Sequence, residues 1–275
     1  MRSPGQRLVA LTIAGTDSGG GAGVAADLKT FEAHDVWGAA AITAVTAQNT
    51  LGVQAFEAVT PELVRAQIGS VVSDLGVDSA KTGMLASAEI VEAVAEAVRD
   101  YGVRPLVVDP VMVSATGHSL LAPEAVDAVR QRLVPLATVL KPNLAEAAVL
   151  VGEPVDDRAA MARAARALVD LGADVVLVTG GHLADEEGSP DCLLVAGEEP
   201  EWLDGPRLAG NHTHGTGCVL TAAICAELAR GMDPPDACLA GKRFVEKAIA
   251  AGVDLGAGVG AVDPGWARRQ APEGL

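Results

Sequence analysis

Apolar residues follow two alternating patterns along the chain. The first is a short, uninterrupted apolar run that ends at a polar residue, a Gly or a Pro. Such runs cover residues 8–14, 106–109, 138–141 and 175–179. They are typical of strands that are buried on both faces of a sheet. Two shorter segments, 192–195 and 201–204, predict a small hairpin or a pair of edge strands.

The second pattern places an apolar residue at every third or fourth position, which predicts helices with one buried face. After Thr60, such a series comprises Val64, Ile68, Val71 and Leu75. Thr60 is a suitable N-terminal cap for this helix, and Gly76 is a suitable end. Segments 87–102 and 157–172 follow the same scheme, each beginning with a capping residue and ending at a Gly.

Strands that alternate with helices of this length predict a mostly parallel sheet covered by helices on both faces. The chain contains no long linker, repeat or low-complexity tract. We therefore expect one three-layer α/β domain over residues 1–275, with an irregular Gly- and Pro-rich tail after about residue 252. In open parallel sheets, ligands bind beyond the carboxyl ends of the strands, so the residues that follow each strand are the candidates for chemistry.

Charge and composition narrow the class of protein. The 275 residues include 20 basic and 36 acidic side chains, a net charge of −16. This balance argues against nucleic acid or an anionic membrane as a partner, although backbone N–H groups can still hold a small phosphorylated ligand. The four cysteines show no C-x-x-C spacing, and the apolar run at 8–14 is too short to be a signal peptide or a membrane span. These features predict a cytoplasmic enzyme or binding protein.

The first candidate site is the Gly-rich segment 15–23, between the first strand and a helix that begins near Val24. It matches neither the Walker A pattern nor G-x-G-x-x-G, but its glycines allow the backbone to approach a ligand closely. Asp27 follows about one helical turn later and is either a hydrogen-bond acceptor for a ligand or a surface acid. Gln48 offers both a donor and an acceptor, which suits the edge of a heteroaromatic ring, although a loop role is equally compatible with its position.

Four further candidates follow strands or precede helices. Met84 lies after Lys81-Thr82-Gly83, and Asp109 ends a buried strand, where a carboxylate needs a partner. The segment 115–119 is either a mobile flap or a static loop. Asn143 and Glu146 lie three residues apart at a helix start, which an ordinary capping box also explains.

The strongest candidate is the segment Asn211-His212-Thr213-His214-Gly215-Thr216-Gly217-Cys218, which begins a helix with no charged residue before Glu227. The N-terminus of a buried helix carries unpaired N–H groups and a positive dipole end, and the glycines allow these groups to face an anion. The same field favours the thiolate of Cys218. The alternatives are a Gly-rich turn before a core helix and, more weakly, a metal site formed by His212 and His214.

Taken in order, these segments resemble the ribokinase-like superfamily, and most closely its hydroxymethylpyrimidine and phosphomethylpyrimidine kinases. The matching strings are ALTIAGTDSGGGAG, ADLKTF, ITAVTAQNT, GVQ, KTGML, VVDPVM, KPNLAEA, VTGGH, NHTHGTGC and KRFVEKAI. They extend from about residue 8 to residue 251. The resemblance implies a three-layer ribokinase-like fold and a homodimeric, ATP- and Mg²⁺-dependent kinase of thiamine biosynthesis. Such an enzyme phosphorylates 4-amino-5-hydroxymethyl-2-methylpyrimidine and then its monophosphate.

The resemblance also implies roles for individual residues. Gln48 would bind the pyrimidine, in a pocket lined by Gly15, Asp27, Met84 and Val111. The turn formed by Gly215, Thr216, Gly217 and Cys218 would be the anion hole for the transferred phosphoryl group, with Cys218 in the place where most of the superfamily has an Asp general base. Asn143, Glu146, Thr179 and Gly217 would contact ATP, and Glu146 and Asp109 would hold Mg²⁺.

This chain departs from the family pattern at two positions. Ala25 replaces a common Gln, and Thr179 stands where some members have a Lys, so that Lys141 and Mg²⁺ would have to neutralise the phosphates. Pyridoxal or pyridoxamine kinase activity is the alternative within the family. Outside it, the alternatives are a transferase or hydrolase that uses Cys218 as nucleophile and a non-catalytic pyrimidine sensor.

Overall fold

The structure is a computed structural model, and it describes residues 5–112, 123–183, 188–208 and 210–269. The predicted flap at 115–119 lies outside the described residues. Within them, no helix combines the length and the apolar character needed to cross a membrane.

The core of the fold is an eight-stranded sheet. Its strands are β1 (Val9–Ala14), β2 (Trp37–Ile42), β5 (Ser79–Thr82), β6 (Leu106–Val108), β7 (Val139–Leu140), β8 (Val175–Thr179), β9 (Asp191–Val195) and β10 (Glu201–Leu203). Their spatial order is β10-β9-β8-β7-β6-β5-β1-β2. Six neighbouring strands are parallel: β8, β7, β6, β5, β1 and β2. Strands β9 and β10 are antiparallel to their neighbours. All four predicted apolar runs are strands of this sheet. The two shorter segments form the antiparallel pair β9 and β10 at one side of the sheet, with β10 as the edge strand.

Helices cover both faces of the sheet, as the pattern predicts. They are α1 (Gly23–Ala33), α2 (Pro61–Asp74), α3 (Ala88–Asp100), α4 (Pro123–Ala128), α5 (Leu144–Val151), α6 (Arg158–Asp170), α7 (Thr216–Ala229), α8 (Pro234–Ala250) and α9 (Trp266–Arg269). One apolar cluster packs α2, α3, α5 and α6 against one face, and a second packs α1, α7 and α8 against the other. The predicted caps form: Thr60, Ser87 and Asp157 each accept a hydrogen bond from a backbone N–H in the first turn of their helix.

A two-stranded hairpin projects from the sheet and was not predicted. It consists of β3 (Ala44–Asn49) and β4 (Gly52–Ala58), which pair antiparallel. The apolar stretch 39–45 is split between β2 and β3 at Thr43, a fully buried residue. The Thr43 hydroxyl donates a 2.5 Å hydrogen bond to the carbonyl of Met84, which fixes the point where the chain leaves the sheet.

The tail after residue 252 is not wholly irregular, in contrast to the prediction. Strand β12 (Gly260–Ala261) pairs in parallel with β11 (His212–His214), next to the Gly-rich turn before α7. Trp266 of α9 packs against Phe244 of α8, with ring centroids 5.3 Å apart. The tail therefore closes over the second apolar cluster.

Candidate active site

The candidate residues converge at the carboxyl end of the parallel strands, where the N-terminus of α7 meets the sheet. Gly215 caps this helix with φ at 86°, a left-handed conformation that favours glycine. A Cβ at Gly215 would lie 1.9 Å from the carbonyl oxygen of Gly21, so only glycine fits there. The Val219 N–H donates to the Gly215 carbonyl at 2.9 Å and begins the helical ladder. The amides of residues 216–218 therefore remain free for a ligand.

Beneath these amides lies a buried ion pair. Lys141 Nζ is 2.9 Å from Asp109 Oδ1, and the Thr221 hydroxyl donates to Asp109 Oδ2 at 3.2 Å. A Cβ at Gly217 would lie 3.1 Å from Lys141 Nζ and 3.8 Å from Asp109 Oδ2, so the bare glycine faces the pair directly. Burial opposes the charge of Lys141, but the carboxylates of Asp109 and Glu146 outweigh it and raise the pKa of Lys141. The site thus keeps a cation beneath the free amides.

The predicted capping box at α5 forms. The side chain of Asn143 accepts from the Glu146 N–H, and the carboxylate of Glu146 accepts from the Asn143 N–H, both at 2.9 Å. Burial raises the pKa of Glu146 to about 7, and Lys141 only partly opposes this effect. Thr179 lies beside Asn143, because its N–H donates to the Pro142 carbonyl at 3.0 Å. Asn143, Glu146 and Thr179 are therefore neighbours next to Lys141, as their predicted common role requires.

An apolar pocket wall lies next to the Gly-rich segment. A Cβ at Gly15 would be 3.1 Å from Met84 Sδ. Met84 is buried in a small cluster with Ala44 and Val53, and Val111 packs against it. Three of the residues predicted to line the substrate pocket, Gly15, Met84 and Val111, are thus brought together.

Gln48 lies half-buried on β3 and is tied to the Gly-rich segment. The Ser18 hydroxyl accepts from the Gln48 N–H at 2.7 Å and donates to the Gln48 carbonyl at 2.8 Å. The preceding residue, Asp17, lies 2.8 Å from Nε2 of His214, the residue before the turn at Gly215. Two consecutive residues of one loop therefore connect the strand of Gln48 to the N-terminus of α7.

Asp27 has a different environment from the one predicted. Its side chain is fully buried: Lys81 Nζ lies 3.0 and 3.1 Å from its two oxygens, and the Thr12 hydroxyl donates to it at 2.6 Å. Both carboxylate oxygens are therefore occupied, and Asp27 does not form part of the pocket surface. The prediction treated Asp27 by itself and missed the buried lysine.

The expectation that the helix field favours the Cys218 thiolate is also wrong. Burial raises the pKa of Cys218 to about 11; nearby Lys81 and the N–H of Gly23, which is 3.4 Å from the sulfur, only partly oppose this. Burial has the largest effect on this thiol, so its neutral form is favoured at neutral pH.

His212 and His214 do not form a shared metal site. Nε2 of His212 lies 2.8 Å from Asp254, and Nε2 of His214 lies 2.8 Å from Asp17, so each imidazole has its own carboxylate. In the part of the chain that the structure describes, no group of three or more His, Cys, Asp or Glu side chains is arranged to hold a metal ion.

The sequence interpretation missed two residues that organise the site. Asp17 accepts hydrogen bonds from the N–H groups of Gly19, Gly21 and Ala22 and thereby shapes the whole Gly-rich loop. Lys81 is a charged residue inside a buried strand. In both cases there was a signal: an acid two residues before a glycine run, and a lysine within a short strand, β5.

A mostly parallel sheet, a buried helix whose first amides lie over a cation, and an adjoining small apolar cluster define a small-molecule kinase of the ribokinase-like fold. Two solved structures share this fold over nearly the whole chain. The ADP complex of Bacillus subtilis pyridoxal kinase is 38% identical with a TM-score of 0.89, and it covers 96% of this chain and 99% of its own. Phosphomethylpyrimidine kinase from Clostridium difficile is 37% identical with a TM-score of 0.79, and it covers 88% of this chain and 100% of its own.

The sequence comparisons give the family. The pattern of the phosphomethylpyrimidine kinase family matches residues 17–263. The hydroxymethylpyrimidine/phosphomethylpyrimidine kinase of Streptomyces coelicolor is 52% identical over 257 residues, which is 94% of each chain. This chain belongs to the phosphomethylpyrimidine kinase family.

Proposed function

We propose that this protein transfers the terminal phosphoryl group of ATP to 4-amino-5-hydroxymethyl-2-methylpyrimidine and then to the resulting monophosphate, in thiamine biosynthesis. The observation that carries the proposal is the position of the α7 amides. They lie above the Lys141–Asp109 pair and are joined through Asp17 and Ser18 to the strand of Gln48. The family and the name of the Streptomyces coelicolor relative support the same pair of reactions.

Phosphoryl transfer needs close positioning of the two substrates and neutralisation of the charge on the transferred group. In our proposal, the amides of Gly217 and Cys218 hold the transferred group, and Lys141 supplies positive charge from below. Because residue 217 is a glycine, without a side chain, the phosphate has room to approach Lys141. Asn143, Glu146 and Thr179 hold the nucleotide end of the site, and the pocket formed by Gly15, Met84 and Val111 holds the ring against Gln48.

The donor set also fits Mg²⁺. Asp109 and Glu146 are buried carboxylates on either side of Lys141, and carboxylate oxygens are the ligands that Mg²⁺ prefers. The hydrogen bonds that both carboxylates already make leave few free ligand positions, which suits an ion held mainly by nucleotide phosphates and water. When bound, Mg²⁺ would neutralise charge on the phosphates.

The two acceptors place different demands on the protein. The hydroxymethyl group must lose its proton during transfer. In our proposal Cys218, at the anion hole, orients this hydroxyl, and the proton leaves to the transferred phosphoryl group or to water. A neutral thiol with a pKa near 11 already carries its own proton and cannot act as a base unless it first ionises, so orientation is its main effect. The phosphate acceptor of the second reaction is already ionised and needs no base.

Pyridoxal phosphorylation is the second candidate. The observation in its favour is the 0.89 TM-score to Bacillus subtilis pyridoxal kinase at 38% identity. Both functions predict the same phosphate site and differ only in the ring that fits against Gln48 and Met84.

The deciding experiment measures ADP release from ATP with hydroxymethylpyrimidine, its monophosphate and pyridoxal side by side, with Mg²⁺ present. Our proposal requires saturable ADP release with both pyrimidines. Turnover of pyridoxal alone would support the second candidate. Binding of pyrimidine without ATP consumption would support a sensor, and a covalent adduct on Cys218 without ADP would support a Cys-dependent transferase or hydrolase.

We also propose that the protein acts in the cytoplasm as a homodimer, as the resemblance to the family implies. Light scattering coupled to size-exclusion chromatography tests the assembly: a mass of about twice the 27.8 kDa of one chain is expected, and a monomeric mass at micromolar concentration would contradict it.

A further inference from the structure

Lys81 is a fully buried lysine for which the mechanism above has no use. It lies on β5, where the carboxylate of Asp27 from α1 accepts its charged end and the Thr12 hydroxyl of β1 donates to the same carboxylate. Burying an ion pair costs desolvation energy, so such a pair is weak evidence for stability alone. The position of this pair relative to Cys218 gives it a further role.

The register of β5 against α7 places Lys81 beneath Cys218. Ser79 and Lys81 alternate along β5 and therefore point to the same face of the sheet. Ser79 donates a 2.7 Å hydrogen bond to the carbonyl of Cys225 on α7. Lys81 lies about 7 Å further along the strand than Ser79. Along the axis of α7, Thr221 lies about 6 Å and Cys218 about 10 Å from Cys225. Because α7 begins at the carboxyl end of β5, Lys81 lies opposite the first turns of α7.

The partner of Lys81 reaches the same point from α1. Asp27 follows Gly23 by four residues, so the two lie on one face of α1. The N–H of Gly23 is 3.4 Å from Cys218 Sγ, and the carboxylate of Asp27 receives Lys81. The Lys81–Asp27 pair thereby fixes the first turn of α1 against the first turn of α7.

The charged groups around Cys218 are Lys81, Lys141, Asp27 and Asp109. Burial has the largest effect on the Cys218 pKa, and among the charged neighbours that act on it Lys81 has the largest, ahead of the carboxylates of Asp27 and Asp109. Lys81 itself keeps its proton, because Asp27, Cys218 and Asp109 together outweigh the effect of burial and raise the pKa of Lys81. A fixed positive charge is thus present beneath the thiol.

We propose that Lys81 is a positioning residue for phosphorylation of the hydroxymethyl group: it holds α1 so that Gly23 N–H meets Cys218 Sγ, and its charge favours negative charge at that sulfur and at the adjoining acceptor oxygen. This inference rests on the proposed function for its catalytic consequence. Its electrostatic part is a property of the protein without substrate.

The test compares Lys81→Met with Asp27→Asn, which break the same ion pair from opposite sides. Rate constants for alkylation of Cys218 by iodoacetamide are measured by peptide mass spectrometry between about pH 8 and pH 9, below the pKa of the thiol. Lys81→Met is expected to slow alkylation about tenfold at each pH, because losing a neighbouring charge shifts a pKa by about one unit or more. Asp27→Asn is expected to have a smaller effect, because it removes a carboxylate that disfavours the thiolate together with the one that keeps Lys81 protonated. A purely structural role predicts equal changes in both variants, and that result, or an unchanged rate in Lys81→Met, would overturn the proposal.

Two further measurements keep the test decisive. If Lys81→Met does not fold, the double variant Lys81→Met/Asp27→Asn takes its place, because it leaves neither charge of the ion pair buried. Alkylation of Cys218 that is slower than in the wild type supports the proposal, and an equal or faster rate overturns it. In steady-state assays, Lys81→Met is expected to lower kcat at least about tenfold more for hydroxymethylpyrimidine than for its monophosphate. Equal losses would overturn the catalytic part. Because alkylation needs no substrate, its result is separate from that of the ADP-release assay, which tests the proposed function.

Discussion

Gly217→Ala tests the anion hole with the smallest possible change. The new Cβ would lie 3.1 Å from Lys141 Nζ, tighter than ordinary van der Waals contact, and 3.8 Å from Asp109 Oδ2. It would occupy the space through which a phosphoryl group reaches Lys141, between the free amides and the cation. The end of the Lys141 side chain can move by a few tenths of an ångström, so we expect the protein to fold.

The expected effect on catalysis is large and the effect on stability is small. Removing one anion-hole donor costs about 100-fold to 1,000-fold in kcat, or about 3 to 4 kcal/mol of transition-state stabilisation. Gly217→Ala keeps the backbone N–H of residue 217, but its methyl group would exclude the phosphate from Lys141, so we expect the loss of that contact to cost about 100-fold. Residue 217 lies in the first turn of α7 and its φ is not left-handed, so alanine is compatible with the backbone there. Its higher helix propensity would stabilise the folded protein by at most about 1 kcal/mol, and the tight contact with Lys141 would offset this gain.

The assay couples ADP release to NADH oxidation at varied ATP, and thermal unfolding is measured on the same preparations. Gly69→Ala is the matched control, since Gly69 is also helical and its Cβ would meet the half-exposed ring of Tyr101 on the surface. We expect the control to keep wild-type kcat/KM. If Gly217→Ala is equally active while its fold is intact, the transferred phosphate does not bind between the α7 amides and Lys141, and the reasoning is refuted.

Three further variants test other parts of the site. Cys218→Ala is expected to lower kcat about 100-fold for hydroxymethylpyrimidine and less than about tenfold for the monophosphate; equal losses in the coupled assay would contradict the different demands of the two acceptors. Gln48→Leu is expected to raise KM for the pyrimidine at least about tenfold and leave KM for ATP unchanged, because the ring edge loses its hydrogen bonds; a change confined to ATP would contradict the assignment. Glu146→Gln is expected to stabilise the protein at high pH, because folded Glu146 keeps its proton up to a pKa of about 7 whereas the unfolded side chain releases it near 4.5. The stabilisation from that proton is complete at low pH and lost as pH rises through 7, so in urea unfolding the advantage of Gln should grow from near zero at pH 4.5 to about 3 kcal/mol above pH 7; an advantage independent of pH would contradict it.

The elements that sequence analysis predicted are those specified by local chemistry. Thr60, Ser87 and Asp157 cap their helices through contacts within three residues, and the buried strands are visible as continuous apolar runs. The turn before α7 was also visible, because glycines directly before a helix with no charged residue until Glu227 have few other uses. Periodicity and capping are properties of adjacent residues, so no knowledge of the fold was needed.

The contacts that assemble the site were not visible, because they join distant parts of the chain. Asp17 and His214 are separated by 197 positions, and Lys81 and Asp27 by 54. Neither pair has a spacing that a helix or a strand would produce. The burial of Asp27 and the surroundings of the half-buried Cys218 likewise depend on how α1 packs over α7, so the sequence analysis misjudged both.

The central claim is that the α7 amides hold the phosphoryl end of the nucleotide next to a ring bound at Gln48. A crystal structure of the protein with a non-hydrolysable ATP analogue and hydroxymethylpyrimidine tests it most directly. We expect the terminal phosphate within hydrogen-bonding distance of the Gly217 and Cys218 amides, and the pyrimidine edge on the Gln48 side chain with its hydroxyl facing that phosphate. A terminal phosphate bound away from the α7 amides, or a pyrimidine without contact to Gln48, would contradict the account.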